Sequence, residues 1–145
     1  MTGTNVSGII DCEPHQVIHA DEQQIRQAFN NIILNAVHAM PEGGTLAVRV
    51  TGAHLPAGNR HSLSAGDYVE IVFTDSGCGI RREDLHKIYD PYFTTKSNGA
   101  GLGLSTTFSI INKHGGRIEI MSDIGKGTTV TLFLPSYGEK TEGSA

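Results

Sequence analysis

The sequence predicts an α+β domain built from one mixed, mostly antiparallel sheet with helices on one face. Four short runs alternate apolar and polar residues, as half-buried strands do. Two longer runs carry apolar residues three and four positions apart, which is typical of amphipathic helices. Because the strand runs occur in pairs with helical runs between the pairs, the simplest packing is a single sheet covered by helices on one side.

The first helix is predicted over residues 21–40, where Asp21 can cap the N-terminus and Pro41 with the glycines after it ends the helix. Its apolar positions are Ile25, Ala28, Phe29, Ile32, Ile33, Ala36, Val37 and Met40. Two antiparallel strands are predicted next, around Leu46, Val48 and Val50 and around Val69, Ile71 and Phe73. The stretch 52–67, which contains Gly, Pro and Ser, is predicted to be a long, mobile connection between them.

After an irregular segment, the second half of the chain shows another helix followed by another pair of strands. Residues 81–88 can form a short helix, residues 89–101 lack regular patterning, and the region 81–101 is predicted to be a flexible lid. A helix is predicted from about Leu102 to His114, ended by two glycines. Two more strands follow, around Ile118 and Ile120 and around Val130, Leu132 and Leu134. The sequence thus predicts one domain over residues 1–136 and a solvated tail over residues 137–145.

Composition limits the class of partner. The formal net charge is −4, with 11 basic and 15 acidic residues, and no basic cluster marks a nucleic-acid or anionic-membrane surface. Only two cysteines occur, too few for a disulfide framework, so a reducing, cytoplasmic compartment is expected. No apolar run has the length of a membrane span, so we expect no direct membrane contact from this domain, although a parent protein can be anchored elsewhere.

A polar stripe runs along the first helix. Asn31, Asn35 and His38 lie at i, i+4 and i+7, and therefore share one side of the helix. An asparagine amide oxygen suits Mg²⁺, which takes a few protein oxygens together with phosphates and water. A plain solvent-facing stripe is the alternative interpretation.

Asp75 and Thr128 are polar residues in phase with buried strand residues. Strand alternation places the Asp75 carboxylate on the face of Val69, Ile71 and Phe73, where it needs a partner. Adenine fits, because its exocyclic amine donates to a carboxylate, whereas guanine presents an acceptor there. Gly77 and Gly79 leave room for a flat ring. The alternatives are a turn-initiating Asp and an ordinary strand Thr.

The stretch "GAGLGLS", residues 99–105, places three glycines before a helix. Such a loop can aim backbone amides at an anion, although lid glycines can also serve flexibility alone. The dinucleotide-binding fingerprint fails because the third glycine comes one residue early, and the P-loop pattern is absent. Lys96 and the pair Arg81-Arg82 supply positive charge nearby.

Five motifs in chain order resemble the ATP-binding catalytic domain of bacterial sensor histidine kinases, within the superfamily that also contains gyrase, MutL and chaperone ATPases. They are "NNIILNAVHAM" (the N box), "DSGCGI" (the first glycine box), "DPYFTTK" (the F box), "GAGLGLS" (the second glycine box) and "GKGTTVTLFLP" (the last strand pair). The resemblance implies a two-layer α/β sandwich of the Bergerat type that binds ATP and Mg²⁺ under a lid.

The resemblance also implies residue roles. Asn35 would bind Mg²⁺ with Asn31 lining the same site, Asp75 would bind the adenine amine with help from Thr128, and His38 or Lys96 would reach a phosphate. The residues assigned to phosphoryl transfer are Asn31, Asn35, His38 and Lys96. Those assigned to ATP binding are Asn35, Asp75, Gly77, Gly79, Ile80, Phe93, Thr94, Lys96, Gly99, Gly101, Leu102, Gly103, Leu104 and Thr128.

Two departures from the family pattern shape the expected activity. ATP-hydrolysing relatives carry a glutamate where this chain has Asn31, and an amide cannot act as a general base. None of the seven histidines stands in a phosphoacceptor box. The expectation is γ-phosphoryl transfer from Mg-ATP to a histidine on a separate dimerisation domain, and onward to a response-regulator receiver domain. The alternatives are an ATPase clamp, an anti-sigma-type serine kinase and a nucleotide-binding module without chemistry.

Overall fold

The computed structural model describes residues 6–14, 16–80 and 100–136, and only the backbone of residues 100–103. The predicted lid 81–101, its helix 81–88 and the tail 137–145 therefore lie wholly or almost wholly outside the described residues. Within those residues, none of the helices has the length and apolar character needed to cross a bilayer.

The sheet is mixed and mostly antiparallel, as predicted. Its strands are β1 (Val6–Cys12), β2 (Gly44–Leu55), β3 (Gly66–Asp75), β4 (Arg117–Asp123) and β5 (Gly127–Pro135), in the spatial order β1-β2-β3-β5-β4. The pair β1–β2 is parallel and the other three pairs are antiparallel. Sequence patterning missed β1 because this edge strand is mostly exposed and shows no alternation of buried and exposed residues.

Two helices cover one face of the sheet. The helix α1 (Glu22–His38) begins where predicted, because the Asp21 carboxylate accepts a hydrogen bond from the backbone N–H of Gln24 at 3.1 Å. The helix α2 (Ala100–Lys113) begins slightly before the predicted Leu102. The helices and the sheet share one apolar core, which includes Ile32, Ile111, Ile71, Phe73, Leu132 and Leu134.

The connection between β2 and β3 is shorter than predicted. It comprises residues 56–65 rather than 52–67, because the strand pairing continues without interruption to Leu55 and Gly66. A second apolar cluster of Leu55, Tyr68 and Phe133 holds this extension on the face away from the helices. His61 of the loop packs on Phe133 with ring centroids 4.4 Å apart.

Candidate functional site

Asp75 is the last residue of β3 and is buried, with 8% of its surface exposed. Strand phase therefore predicted its orientation correctly. Its Oδ1 accepts hydrogen bonds from the backbone N–H groups of Gly77 at 2.8 Å and Thr128 at 3.2 Å. Among the described residues both bonds end on Oδ1, so the second carboxylate oxygen is available to accept from a ligand.

Burial raises the pKa of the Asp75 carboxyl above its usual value, and the hydrogen bonds from Gly77 and Thr128 oppose that rise without cancelling it. The charged form is thus disfavoured in the folded chain. A ligand that donates a hydrogen bond to the carboxylate would relieve part of this cost, because the charge would gain a partner in place of lost water.

Thr128 lies opposite Asp75 in the β3–β5 pairing, and Ser122 lies opposite Thr128 in the β4–β5 pairing. The Ser122 hydroxyl donates to the carbonyl of Gly127 at 3.0 Å and lies 2.7 Å from the Thr128 hydroxyl. Because Ser122 has one proton to donate, the Thr128 hydroxyl must donate to Ser122. The lone pairs of Thr128 Oγ1 can then accept a hydrogen bond from a ligand or a water.

Sequence reasoning missed Ser122, although a signal existed. It lies in phase with Ile118 and Ile120 on β4, the same pattern that identified Asp75 and Thr128. The Ser122 oxygen also accepts the backbone N–H of Ile80 at 2.8 Å. One serine thus fixes both the Thr128 hydroxyl and the end of the segment that follows Asp75.

Besides the bond from Ile80 to Ser122, the segment 76–80 is attached to the rest of the domain through both backbone groups of Cys78. The Cys78 N–H donates to the carbonyl of Ala39, the C-cap residue of α1, at 3.0 Å. The Cys78 carbonyl accepts from the N–H of Gly125, in the β4–β5 turn, at 2.9 Å. These bonds bring the C-terminal end of α1, which carries Asn35 and His38, close to the end of β3, where Asp75 lies.

The structure gives Gly77 and Gly79 a reason that differs from room for a ligand. A Cβ on Gly77 would lie 2.6 Å from the carbonyl oxygen of Ala39, and one on Gly79 would lie 2.1 Å from that of Asp123. Gly79 also has a φ of +79°. Both glycines are therefore required by close approach of the chain to its own backbone.

The stripe on α1 does not face open solvent. Two of its side-chain atoms, Asn35 Nδ2 and His38 Nδ1, are buried and have no hydrogen-bond partner among the described residues. Buried polar atoms in native proteins are normally hydrogen-bonded. The hydrogen-bonding capacity of these two atoms is therefore unused within the described part of the chain. Asn31, one turn earlier, donates from Nδ2 to the Thr107 hydroxyl of α2 at 3.4 Å.

The second glycine box contributes through the start of α2. Gly101 and Gly103 lie in the first turn of α2 rather than in a loop before it. Backbone N–H groups in the first turn of a helix have no partner within the helix. Leu104 is a core residue, so its side chain packs inward instead of lining an open site. Only the backbone of Leu102 is described, and Phe93, Thr94, Lys96 and Gly99 lie outside the described residues.

The described residues offer a metal ion amide oxygens on α1 rather than a cluster of carboxylates. In residues 6–14, 16–80 and 100–136, no group of three or more His, Cys, Asp or Glu side chains could hold a metal ion. The amide oxygens of α1, together with the phosphates of a bound nucleotide, are the donor set that suits Mg²⁺. The partnerless Nδ2 of Asn35 is a donor, so it suits an acceptor such as a phosphate oxygen and not the metal ion itself.

Comparison with known proteins was made by sequence and by structure. The sequence model of the family described as "Histidine kinase-, DNA gyrase B-, and HSP90-like ATPase" matches residues 20–138. The chain is 40% identical over 118 residues to the sensor histidine kinase ZraS of Escherichia coli (strain K12), covering 81% of this chain and 23% of that protein. It is 42% identical over 130 residues to the sensor kinase CckA of Brucella abortus (strain 2308), covering 85% and 14%.

Among solved structures, the catalytic domain of the histidine kinase ThkA resembles this chain with a TM-score of 0.73 and 28% sequence identity. The alignment covers 90% of this chain and 79% of that one. The chain therefore matches 79% of the length of that catalytic domain, whereas it spans less than a quarter of the length of the two curated relatives.

Proposed function

Because the chain belongs to the family of histidine kinase-, DNA gyrase B- and HSP90-like ATPases, we propose that it binds Mg-ATP and transfers the γ-phosphoryl group to a histidine on a separate dimerisation and phosphoacceptor domain. Its similarity to sensor histidine kinases and to a histidine kinase catalytic domain supports the kinase branch of this family. A response-regulator receiver domain would then take the phosphoryl group from that histidine.

The observation that carries the proposal is the buried carboxylate of Asp75. Its Oδ1 is held by two backbone N–H groups, and its other oxygen can accept the exocyclic amine of adenine. Thr128 adds an acceptor beside it, because its proton is committed to Ser122. Adenine is therefore favoured over guanine, which has a carbonyl at the position of the adenine amine and would face two acceptors there.

The triphosphate would extend from this base toward α1 and the start of α2. Asn35 would hold Mg²⁺ with Asn31 beside it, and the bound ion would neutralise charge on the phosphates. The first-turn N–H groups of α2, around Gly101 and Gly103, would donate to phosphate oxygens. His38 would reach a phosphate through its ring. Roles for Phe93, Thr94, Lys96 and Gly99 stay predictions from the sequence.

Transfer rather than hydrolysis follows from the side chain at position 31. The acceptor histidine nitrogen would form a bond to the γ-phosphorus while the bond from that phosphorus to the bridging oxygen breaks, releasing ADP. An imidazole nitrogen is nucleophilic when neutral, so positioning and charge neutralisation are sufficient from this domain. Activating water requires a base, and Asn31 cannot serve as one.

The domain would act in the cytoplasm. Cys12 and Cys78 are both free and exposed, which suits a reducing compartment. Its direct partner would be the dimerisation and phosphoacceptor domain of the parent kinase, with no nucleic acid and no direct membrane contact.

The test is to mix this chain with the phosphoacceptor domain of its parent kinase and γ-labelled ATP. We expect acid-labile, base-stable label on the partner and slow steady-state ATP hydrolysis by the chain alone. Acid-stable label on serine would favour an anti-sigma-type kinase, and rapid hydrolysis would favour an ATPase clamp. Tight ATP binding with an intact partner and no transfer would identify a nucleotide-binding module without chemistry.

A further inference from the structure

A buried hydroxyl connects α1 to α2. Thr107 of α2 has 0% of its surface exposed, and it shares one helix face with the core residues Leu104, Phe108 and Ile111. Valine has a similar shape without a polar group, so packing alone does not account for threonine at this position. A buried hydroxyl is costly unless it is hydrogen-bonded.

The hydroxyl is bonded across the helix pair. Asn31 Nδ2 of α1 donates to Thr107 Oγ1 at 3.4 Å, toward the long end of hydrogen-bond distances. In a helix, a threonine hydroxyl can donate its own proton to the carbonyl four residues earlier, which in α2 belongs to Gly103. The oxygen then acts as an acceptor, which matches the donation from Asn31.

An asparagine amide has a donor end and an acceptor end, and a divalent cation can use only the acceptor end. With Nδ2 directed at Thr107, the amide of Asn31 has its Oδ1 turned away from α2. A side chain free to rotate would present its NH₂ group to a cation for part of the time. Fixing the amide therefore favours metal binding without adding a ligand.

We propose that Thr107 is a positioning residue that orients the Asn31 amide so that its oxygen, not its nitrogen, is presented to Mg²⁺. The inference rests on the proposed Mg-ATP binding and deepens it. Asn31 precedes Asn35 by one turn, and Thr107 follows the first turn of α2, so this contact also links the two helix segments proposed to hold the metal and the phosphates.

The test compares ATP binding by Thr107→Val, Thr107→Ser and the wild-type chain, in Mg²⁺ and in EDTA, by isothermal titration calorimetry. Thr107→Val should bind ATP in EDTA as the wild type does and lose about threefold to tenfold of the affinity that Mg²⁺ adds, the equivalent of one neutral hydrogen bond. Thr107→Ser should recover most of that loss. Thr106→Val, at the exposed neighbouring threonine, is the matched control and should change neither value.

A second measurement probes the contact without nucleotide or metal. The side-chain NH₂ signals of Asn31, assigned by their absence in Asn31→Asp, should shift and exchange faster with water in Thr107→Val. Thermal unfolding of each variant verifies that it is folded. Unchanged signals in a folded Thr107→Val, or an unchanged gain of affinity with Mg²⁺, would overturn the inference.

The two proposals fail in different ways. If the wild-type chain binds no ATP, the proposed function is wrong and the role of Thr107 falls with it. If the wild type binds Mg-ATP and Thr107→Val retains the full effect of Mg²⁺, only the role of Thr107 is wrong. A Thr107→Ser variant as weak as Thr107→Val would also contradict it, because serine keeps the hydroxyl.

Discussion

Replacing Asp75 by asparagine should weaken ATP binding while leaving the nucleotide-free chain equally stable or more stable. The substitution removes the charge and keeps the size of the side chain. The two N–H groups that bond to Oδ1 need an acceptor, so the asparagine carbonyl must take that position. The asparagine NH₂ group then replaces the second carboxylate oxygen and faces the adenine amine, donor against donor.

The expected loss follows from that geometry. A hydrogen bond to a charged group contributes about 1.5–3 kcal/mol. Because about 1.4 kcal/mol corresponds to a tenfold change, the dissociation constant for ATP should rise about tenfold to a hundredfold. Calorimetry or displacement of a fluorescent ATP analogue measures it. Asp67→Asn is the matched control, because Asp67 is an exposed carboxylate on the same strand and contacts His54 rather than the site. This variant should bind ATP as the wild type does.

Stability should change in the opposite direction. Since burial raises the pKa of the Asp75 carboxyl, the favourable contribution of its neutral form is complete below the unfolded-state pKa and is lost as pH rises through the folded-state value. At neutral pH, Asp75→Asn should therefore unfold at the same or a higher temperature than the wild type. This difference should shrink as the pH falls toward the pKa that the carboxyl has in the unfolded chain. Wild-type ATP affinity in the variant, or a large loss of nucleotide-free stability, would refute the reasoning.

Two further substitutions, each with a matched control, test the scaffold of the site by chemical unfolding. Gly79→Ala should cost about 2 kcal/mol or more, because its Cβ meets a backbone carbonyl at 2.1 Å at a positive φ. Gly125→Ala, with a similar φ and no atom within 4 Å, should cost only about 1 kcal/mol, and equal costs would contradict the steric argument. His114→Ala should cost about 1–2 kcal/mol, since its Nε2 accepts the N–H of the helix cap Asp21 at 3.1 Å and its Nδ1 bonds a carbonyl of α2 at 2.8 Å. His54→Ala breaks an exposed side-chain hydrogen bond to Asp67 and should cost well under 1 kcal/mol, so a larger loss there than at His114 would reverse our ranking.

Features with a local cause could be predicted from the sequence. The α1 helix follows from apolar spacing and from the cap at Asp21, and both were confirmed. The buried orientation of Asp75 follows from strand phase alone. The order of the five motifs predicted the family, and the match over residues 20–138 confirmed it.

Features that depend on chain segments far apart could not be predicted. Nothing local marks β1 as a strand, because its hydrogen bonds come from β2 and its side chains remain exposed. The predicted end of β2 and the predicted start of β3 were wrong, because the cluster around Phe133 extends the pairing of these two strands.

The sequence by itself determined which chemical groups this protein has: a carboxylate at Asp75, amide oxygens on α1 and glycines at the start of α2. Tertiary structure alone decided which long-range hydrogen bonds these groups already make. The Thr128 N–H bond to Asp75 Oδ1, the Ser122 hydroxyl that commits the proton of Thr128, and the contact between Thr107 and the Asn31 amide all join different elements. The physical reason is that a side-chain type sets which hydrogen bonds are possible, whereas the neighbours brought by the fold decide which lone pair or proton remains for a ligand.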